Sequence, residues 1–304
     1  MEIDKRVRCG EHILRFEDEA DPGEWFLEKS RIELRETPEI REKAMEEFRK
    51  KITEMDNIVF PIDDETSVLS FLRACKFYPD SAFDKLIKFF NFRAKNPKYC
   101  ENLSAVKDVN VFKHSIFTIM PYRDQHGRRI LLVEIGKKWN TKEVSLVEII
   151  RGVMLVVSAA LIEPKTQIAG ANVIIDLEGL SLSHVWQFSP GFAKMLLEWV
   201  QEALPCRIKS VHIVNQPYIF NMLFSIFKPF INEKLRNRIY FHGDNKTSLI
   251  EHIDAKFVPT QYGGDMVLET NYGMEIHKLL YQYEWKIQEA NTYRIINDKK
   301  QSKK

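Results

Sequence analysis

Four short runs rich in apolar and β-branched residues constrain the fold of this chain most: Arg129 to Ile135, Ala171 to Leu177, Ile208 to Val214 and Arg238 to Phe241. They are unbroken where a half-exposed strand would alternate polar with apolar side chains, so they belong to a sheet buried on both faces. Helical patterns fill the intervals, at Ser145 to Glu163, Pro190 to Leu204 and Ile219 to Phe227. Such alternation predicts a largely parallel sheet covered by helices, an α/β fold. A further strand, Ser115 to Met120, is joined to the first run through the turn-forming Asp124-Gln125-His126-Gly127, and Tyr262-Gly263-Gly264-Asp265 closes the unit with another turn.

Upstream the period is helical. Trp25 to Met55 has helical spacing, with Thr37-Pro38 as a helix start. Asp63, Asp64, Glu65 and Thr66 are cap-competent residues ahead of the apolar Val68, Leu69, Phe71, Leu72 and Cys75. Asp80 and Ser81 are placed to cap a helix that buries Phe83, Leu86, Ile87, Phe90 and Ala94 and stops at Asn96-Pro97. Beyond the α/β part, Glu275 to Glu289 predicts one more helix, and Lys299, Lys300, Lys303 and Lys304 a frayed basic tail. The chain thus divides into a charged extension (1–24), a helical domain (25–97), an α/β domain (98–270) and a C-terminal helix with its tail (271–304).

Charge and composition remove several function classes. The 45 basic residues nearly balance 43 acidic ones, so there is no global attraction to nucleic acid, and any basic site must be focal. The longest charge-free apolar run, Gly152 to Ile162, is closed by Arg151 and Glu163 and is too short to span a bilayer. Charges interleaved from Glu2 to Arg8 leave no apolar signal-peptide core. Cys9, Cys75, Cys100 and Cys206 form no CxxC pair, which reads as reduced thiols in a cytoplasmic protein without a zinc site.

Covalent chemistry finds no motif. The 12 glycines form no GxGxxG, GxxxxGK[ST] or GxSxG, and the eight histidines no HExxH. The nearest candidate, Asp176 and Glu178 at a strand end with Ser181, Ser183 and His184 downstream, reads as a turn and a helix cap, so no catalytic or metal-binding residue is assigned.

Apolar and basic residues are more informative. Tyr218 to Phe230 (YIFNMLFSIFKPF) is apolar around more than one helix face, as expected of a buried helix or of a cover with one side toward lipid. From Pro205 to Arg238, six bases (Arg207, Lys209, Lys228, Lys234, Arg236 and Arg238) face the lone acid Glu233. Arg207 and Lys209, two apart on a strand, point the same way, and Lys234 and Arg238 share a face if Ile231 to Arg238 is helical. Together they make either a solvated basic face or a pocket for a multiply phosphorylated headgroup.

Three blocks carry a resemblance: FLRACKFYPDSAFDKLIKFFNFRAKNP, VIIDLEGLSLSHVWQFSP, and RIKSVHIVNQPYIFNMLFSIFKPFINEKLRNRIYFHG followed by FVPTQYGGD. From about residue 25 to 290 the chain resembles the CRAL-TRIO lipid-binding family, in particular the branch of alpha-tocopherol transfer protein, retinaldehyde-binding protein and the clavesins. The resemblance implies a non-enzymatic protein: a helical bundle beside an α/β/α sandwich, whose mostly parallel sheet floors a hydrophobic cavity under a mobile amphipathic gate. The gate is expected from Asn215 to about Arg238, with Phe220, Met222, Leu223, Phe224, Ile226 and Phe227 as its apolar residues. Matching pocket positions are Ile150, Val153, Val157, Ala171, Ile175, Leu182, Leu196, Trp199, Val200, Ile208 and Val211. Arg207, Lys209, Lys234 and Arg238 match the four bases that hold a phosphatidylinositol bisphosphate headgroup in that branch.

Val153 and Val157 stand where the branch has small hydroxylated residues, and Trp199 replaces a smaller one. A drier, fuller cavity disfavours tocopherol itself and leaves a retinoid, carotenoid, sterol-like or other isoprenoid open. The expectation is a cytoplasmic carrier, without cofactor, that visits endosomal or plasma membranes bearing phosphoinositides. The rival is a phosphoinositide-dependent membrane adaptor that delivers nothing.

Overall fold

The structure, a computed structural model, describes residues 5–296, so the four lysines of the basic tail lie outside the described residues. Its centre is a five-stranded sheet in the order β4 (Phe117–Ile119), β5 (Arg129–Glu134), β6 (Ala171–Asp176), β7 (Ile208–Val214) and β8 (Ile239–Gly243). The short β4 is antiparallel to β5; the rest are parallel, as the unbroken apolar runs require. Leu131, Val173, Val211 and Ile239 stand in one cross-strand row, and Val133, Ile175, Ile213 and Phe241 in the next, all on one face.

The opposite face carries a polar chain. Asn172 donates to Asp124 and accepts from Ser210, whose hydroxyl meets the His212 ring at 2.8 Å; His212 contacts His242 at 2.9 Å, and His242 reaches Ser248 at 2.8 Å. Each partner satisfies the next, which allows these side chains to be buried.

The helical patterns resolve as local chemistry dictates. Thr37 caps the Pro38–Thr53 helix by accepting from the Ile40 N–H. Trp25 to Met55 is two helices, because Arg35 at φ 66° ends the first, Glu24–Leu34, one turn before that cap. Asp64 caps Glu65–Ala74. Asp80 and Ser81 are not caps: Pro79 occupies the first helical position of Pro79–Lys95, and Asp80 pairs with Lys51 across the surface. Along that helix Ala82, Leu86 and Phe90 are buried, while Ala94 is exposed. Glu275 to Glu289 divides into Gly273–Gln282 and Glu284–Thr292 at Tyr283, a buried side chain whose hydroxyl donates to Asp18. The same C-terminal segment adds β9 (Arg294–Ile295), which pairs with β3 (Ile58–Val59) of the helical unit.

Two features are new against the sequence reading. The charged N-terminus forms a hairpin of β1 (Arg6–Cys9) and β2 (His12–Arg15) about Gly10 at φ 62°, and it buries Val7, Cys9, Leu14 and Phe16. A buried latch joins the helical unit to the sheet domain: Arg73 donates to Glu36 at 2.8 Å and to Gln167 at 2.8 Å, and Gln167 donates to the Thr66 and Leu161 carbonyls.

The histidine chain predicts a pH dependence. Burial, then the neighbouring His242 and His252, pushes the His212 pKa from 6.5 down to about 3. Between those values the unfolded chain binds more protons than the folded one, so the contribution is complete above pH 6.5 and is lost as pH falls toward 3. Urea denaturation across that window is expected to show stability falling with acid at up to about 1.4 kcal/mol per pH unit. His212→Gln flattens the slope.

Candidate functional site

The sheet face bearing Leu131, Val173 and Val211 does not meet its cover directly; a cavity of about 330 Å³ lies between. Its floor is Leu131, Val133, Ala171, Val173, Ile175, Ile208, Val211, Ile213 and Ile239. One wall is the Leu146–Ala160 helix, opened by a reciprocal Ser145–Glu148 cap and presenting Ile149, Ile150, Val153 and Val157. Another is the Pro190–Glu198 helix with its π-helical continuation Trp199–Ala203, presenting Leu196, Trp199 and Val200. Ten of the eleven expected pocket residues meet here. Leu182 does not: it begins the one-turn Leu182–Val185 helix on the outside and is 44% exposed. A short loop carries it away from the floor, so proximity in sequence to Ile175 does not bring it inside.

Among the described residues, the charged groups on the lining are Arg129 and Glu163, and they neutralise each other in a direct ion pair. Burial disfavours the Glu163 carboxylate, yet Arg129 and Arg123 hold its pKa below the ordinary carboxylate range. Glu17 joins this cluster through Arg123 and Lys165, so both carboxylates at the cavity's end are paired with cations. What remains is a dry, apolar space of the size that small ligands occupy.

The cover is the Phe220–Phe227 helix. Phe220, Leu223, Phe224 and Phe227 face the cavity, with Phe220 stacked on Phe224 and Phe227 edge-on to Phe188. Met222, 53% exposed, and the half-buried Ile226 lie off the lining, so the six gate residues divide between two faces. Just ahead of the cover Tyr218 is 90% exposed, and Trp186, at the end of the Leu182–Val185 helix, is 75% exposed. Side-chain bonds clamp both ends of the cover. Asn215, at φ 52°, donates to Asp176, Gln216 accepts from the Gly243 N–H, and Gln201 bridges the Phe230 carbonyl to the Asn232 N–H.

The strand-end acids are structural. Asp176 accepts from the Tyr262 hydroxyl at 2.7 Å, from Asn215 and from the Glu178 N–H, and His184 completes a reciprocal cap with Ser181 while contacting the Trp139 carbonyl. Glu178 pairs with Lys137 at the surface.

Beside the apolar cavity opens a polar basin of about 480 Å³. Arg207, Lys209, Lys234 and Arg238 all line it, with Lys76 and Lys85 from the helical unit and, among the described residues, the single acid Glu33. The route differs from the expected shared helix face. The helix is only Glu233–Arg236, capped by Asn232, and Arg238 follows it in a turn, its guanidinium donating to the Ile208 carbonyl. Gly170, at φ 85°, brings its backbone against Arg207, where a Cβ would collide with the Arg207 carbonyl. Burial, followed by repulsion from Arg207, lowers the pKa of both Lys209 and Arg238. Glu33, Lys76 and Lys85 escaped sequence reasoning, because each is an ordinary helix or turn residue until the chain folds. Val200, Leu204, Cys206, Ile208 and Leu235 line both basin and cavity, so one layer of side chains separates them.

The CRAL/TRIO domain family matches residues 113–264. Mouse clavesin-1 is 33% identical over 79% of this chain and 68% of its own length, human clavesin-2 30% over 78% and 73%, and mouse alpha-tocopherol transfer protein-like 34% over 79% and 69%. Among solved structures, that of Sfh5 aligns with 80% of this chain and 97% of its own at a TM-score of 0.48 and 16% identity.

A second cavity, of about 150 Å³, lies behind the first, between the helical unit, the Leu146–Ala160 helix and the C-terminal helix. Trp199, Val157 and Leu204 line both spaces and form the partition. Trp199→Ala is expected to join them and to cost about 3–5 kcal/mol in guanidinium denaturation, as large-to-small changes of buried aromatics do. Excess geranylgeraniol should recover part of that loss by filling the joined space.

Proposed function

The chain belongs to the CRAL/TRIO domain family, and from that premise we propose that it is a non-enzymatic carrier. It holds one small hydrophobic lipid of isoprenoid, retinoid or carotenoid type under the Phe220–Phe227 cover and transfers it at membranes bearing phosphoinositides. The observation that supports this reading best is the placement of a dry cavity and a basic basin on two sides of one layer of side chains. On the one-turn Glu233–Arg236 helix, Lys234 lines the basin while the adjacent Leu235 lines the cavity.

The energetics require such an arrangement. Burying about 400 Å² of ligand surface at roughly 25 cal/mol per Å² contributes on the order of 10 kcal/mol before association costs. That retains cargo well and releases it slowly. A headgroup on Lys234 and Arg238 shifts the cover toward an open state only if it binds that state more tightly. Tyr218 and Met222 give the outer side of the cover aromatic and thioether groups suited to a lipid interface. Among the described residues no helix is long and apolar enough to cross a membrane.

Native mass spectrometry of the purified protein, followed by organic extraction, tests the cargo. A stoichiometric isoprenoid or retinoid-like lipid is expected; an empty protein that still binds phosphoinositide vesicles would replace the carrier with a membrane adaptor. Vesicle sedimentation tests the basin. Lys234→Ala with Arg238→Ala should weaken binding to vesicles containing a phosphatidylinositol bisphosphate at least about tenfold, a loss of about 1.4 kcal/mol. The melting temperature should change little, since Lys234 is exposed and the half-buried Arg238 gives up one bond, to the Ile208 carbonyl.

A further inference from the structure

The basin is already partly occupied, by a side chain of the protein itself. Glu33, at the end of the Glu24–Leu34 helix, lies 2.8 Å from Arg207 and 3.2 Å from Lys209, and its other oxygen is 2.7 Å from Lys29. Burial pushes its pKa up, yet the hydrogen bonds from Lys29 and Arg207 and the charge of Lys209 hold it down at about 2, so it is an anion throughout the neutral range. The four headgroup bases are therefore unequal. Arg207 and Lys209 share one internal carboxylate, which offsets part of their charge, whereas among the described residues Lys234 is exposed with no carboxylate in salt-bridge reach and Arg238 hydrogen-bonds a backbone carbonyl.

We infer that Glu33 is a displaceable resident anion: a second phosphate reaches Arg207 and Lys209 only by expelling it, which makes headgroup binding a release signal for the Glu24–Leu34 helix. This rests on the basin being the headgroup site. One phosphate on Lys234 and Arg238 leaves Glu33 in place. A bisphosphate that spans the basin must break the Glu33 pairs, and it sets Glu33 near its own negative charge, which favours the carboxylate's departure. Lys76 and Lys85, on the helical unit's side of the basin, are placed to compensate the incoming charge. Lys85 is anchored, donating to the Glu202 and Leu204 carbonyls, so that part of the basin is formed before any ligand arrives.

The device has two consequences. Glu33 reduces affinity for the bisphosphate, which keeps membrane residence short. It also ties the helical unit to the strand that floors the cavity, because Arg207 and Lys209 flank Ile208, a residue of the lining. Occupying the basin thus loosens a contact between two parts of the protein as well as adding one to the membrane.

The test compares the full-length protein with Glu33→Gln and with the Lys234→Ala/Arg238→Ala pair. The probes are phosphatidylcholine vesicles containing either a phosphatidylinositol bisphosphate or a monophosphate. Glu33→Gln is expected to bind bisphosphate vesicles about tenfold more tightly and to change monophosphate binding by less than about threefold. Amide hydrogen exchange in residues 24–34 should rise when bisphosphate vesicles bind the wild type, and should already be raised in Glu33→Gln without them. Unchanged or weaker bisphosphate binding by Glu33→Gln, with the double variant impaired, would overturn the resident-anion role and leave the basin as the headgroup site. If the double variant bound as the wild type does, both would fall.

Discussion

A parallel sheet must be covered on both faces, and here the two covers obey different rules. On one face, helices and the Asn172–Ser210–His212–His242 chain close directly on the strands, with each polar group satisfied by the next. On the other, the Phe220–Phe227 helix stands off from the Leu131–Val173–Val211–Ile239 row, and the gap is the cavity. Packing that was not completed there costs dispersion contacts that a filled core would have made. An apolar guest restores them, so the same incompleteness that weakens the cover provides the binding energy.

Keeping such a space dry demands discipline with charge. Arg129 and Glu163 border it without making it polar, because each is the other's counter-ion and Arg123, Lys165 and Glu17 extend the paired cluster away from the lining. The basin across the partition follows the opposite rule: Arg207, Lys209, Lys234 and Arg238 converge without enough acid to balance them. Glu33 is the partial exception, and its position on a helix outside the sheet domain makes a purely electrostatic feature also a connection between parts of the chain.

The sheet was legible because strands buried on both faces leave an unmistakable apolar record, and β5 to β8 fall where those runs lie. The cavity's lining was legible through resemblance, since residues such as Val153 and Trp199 look like plain core until a family pattern marks them. Leu182 shows where that carry-over stops: one loop's geometry decides whether it faces in or out. The N-terminal hairpin had a readable signal, the alternation of Arg6-Val7-Arg8-Cys9 about Gly10, but the density of charge concealed it. Glu33 had none. It lies 174 residues from Arg207, and nothing local distinguishes it from its neighbours on an amphipathic helix.

Under the proposed function, the partition between cavity and basin lets two chemistries that exclude each other act as one site. Ile208 and Leu235 present carbon to the cavity, while their neighbours Arg207, Lys209 and Lys234 present charge to the basin; alternation along a strand and rotation around one helical turn separate the two sets. A headgroup therefore never needs to enter the apolar space, nor a hydrophobic guest to meet the charges. Displacing Lys234 still displaces Leu235, because adjacent residues on a turn capped by Asn232 move together. The cover ends on that same turn, held through Gln201 to Phe230 and Asn232. Force applied in the basin thus reaches the clamp of the cover through covalent continuity, over a few residues, without a long pathway of side-chain contacts.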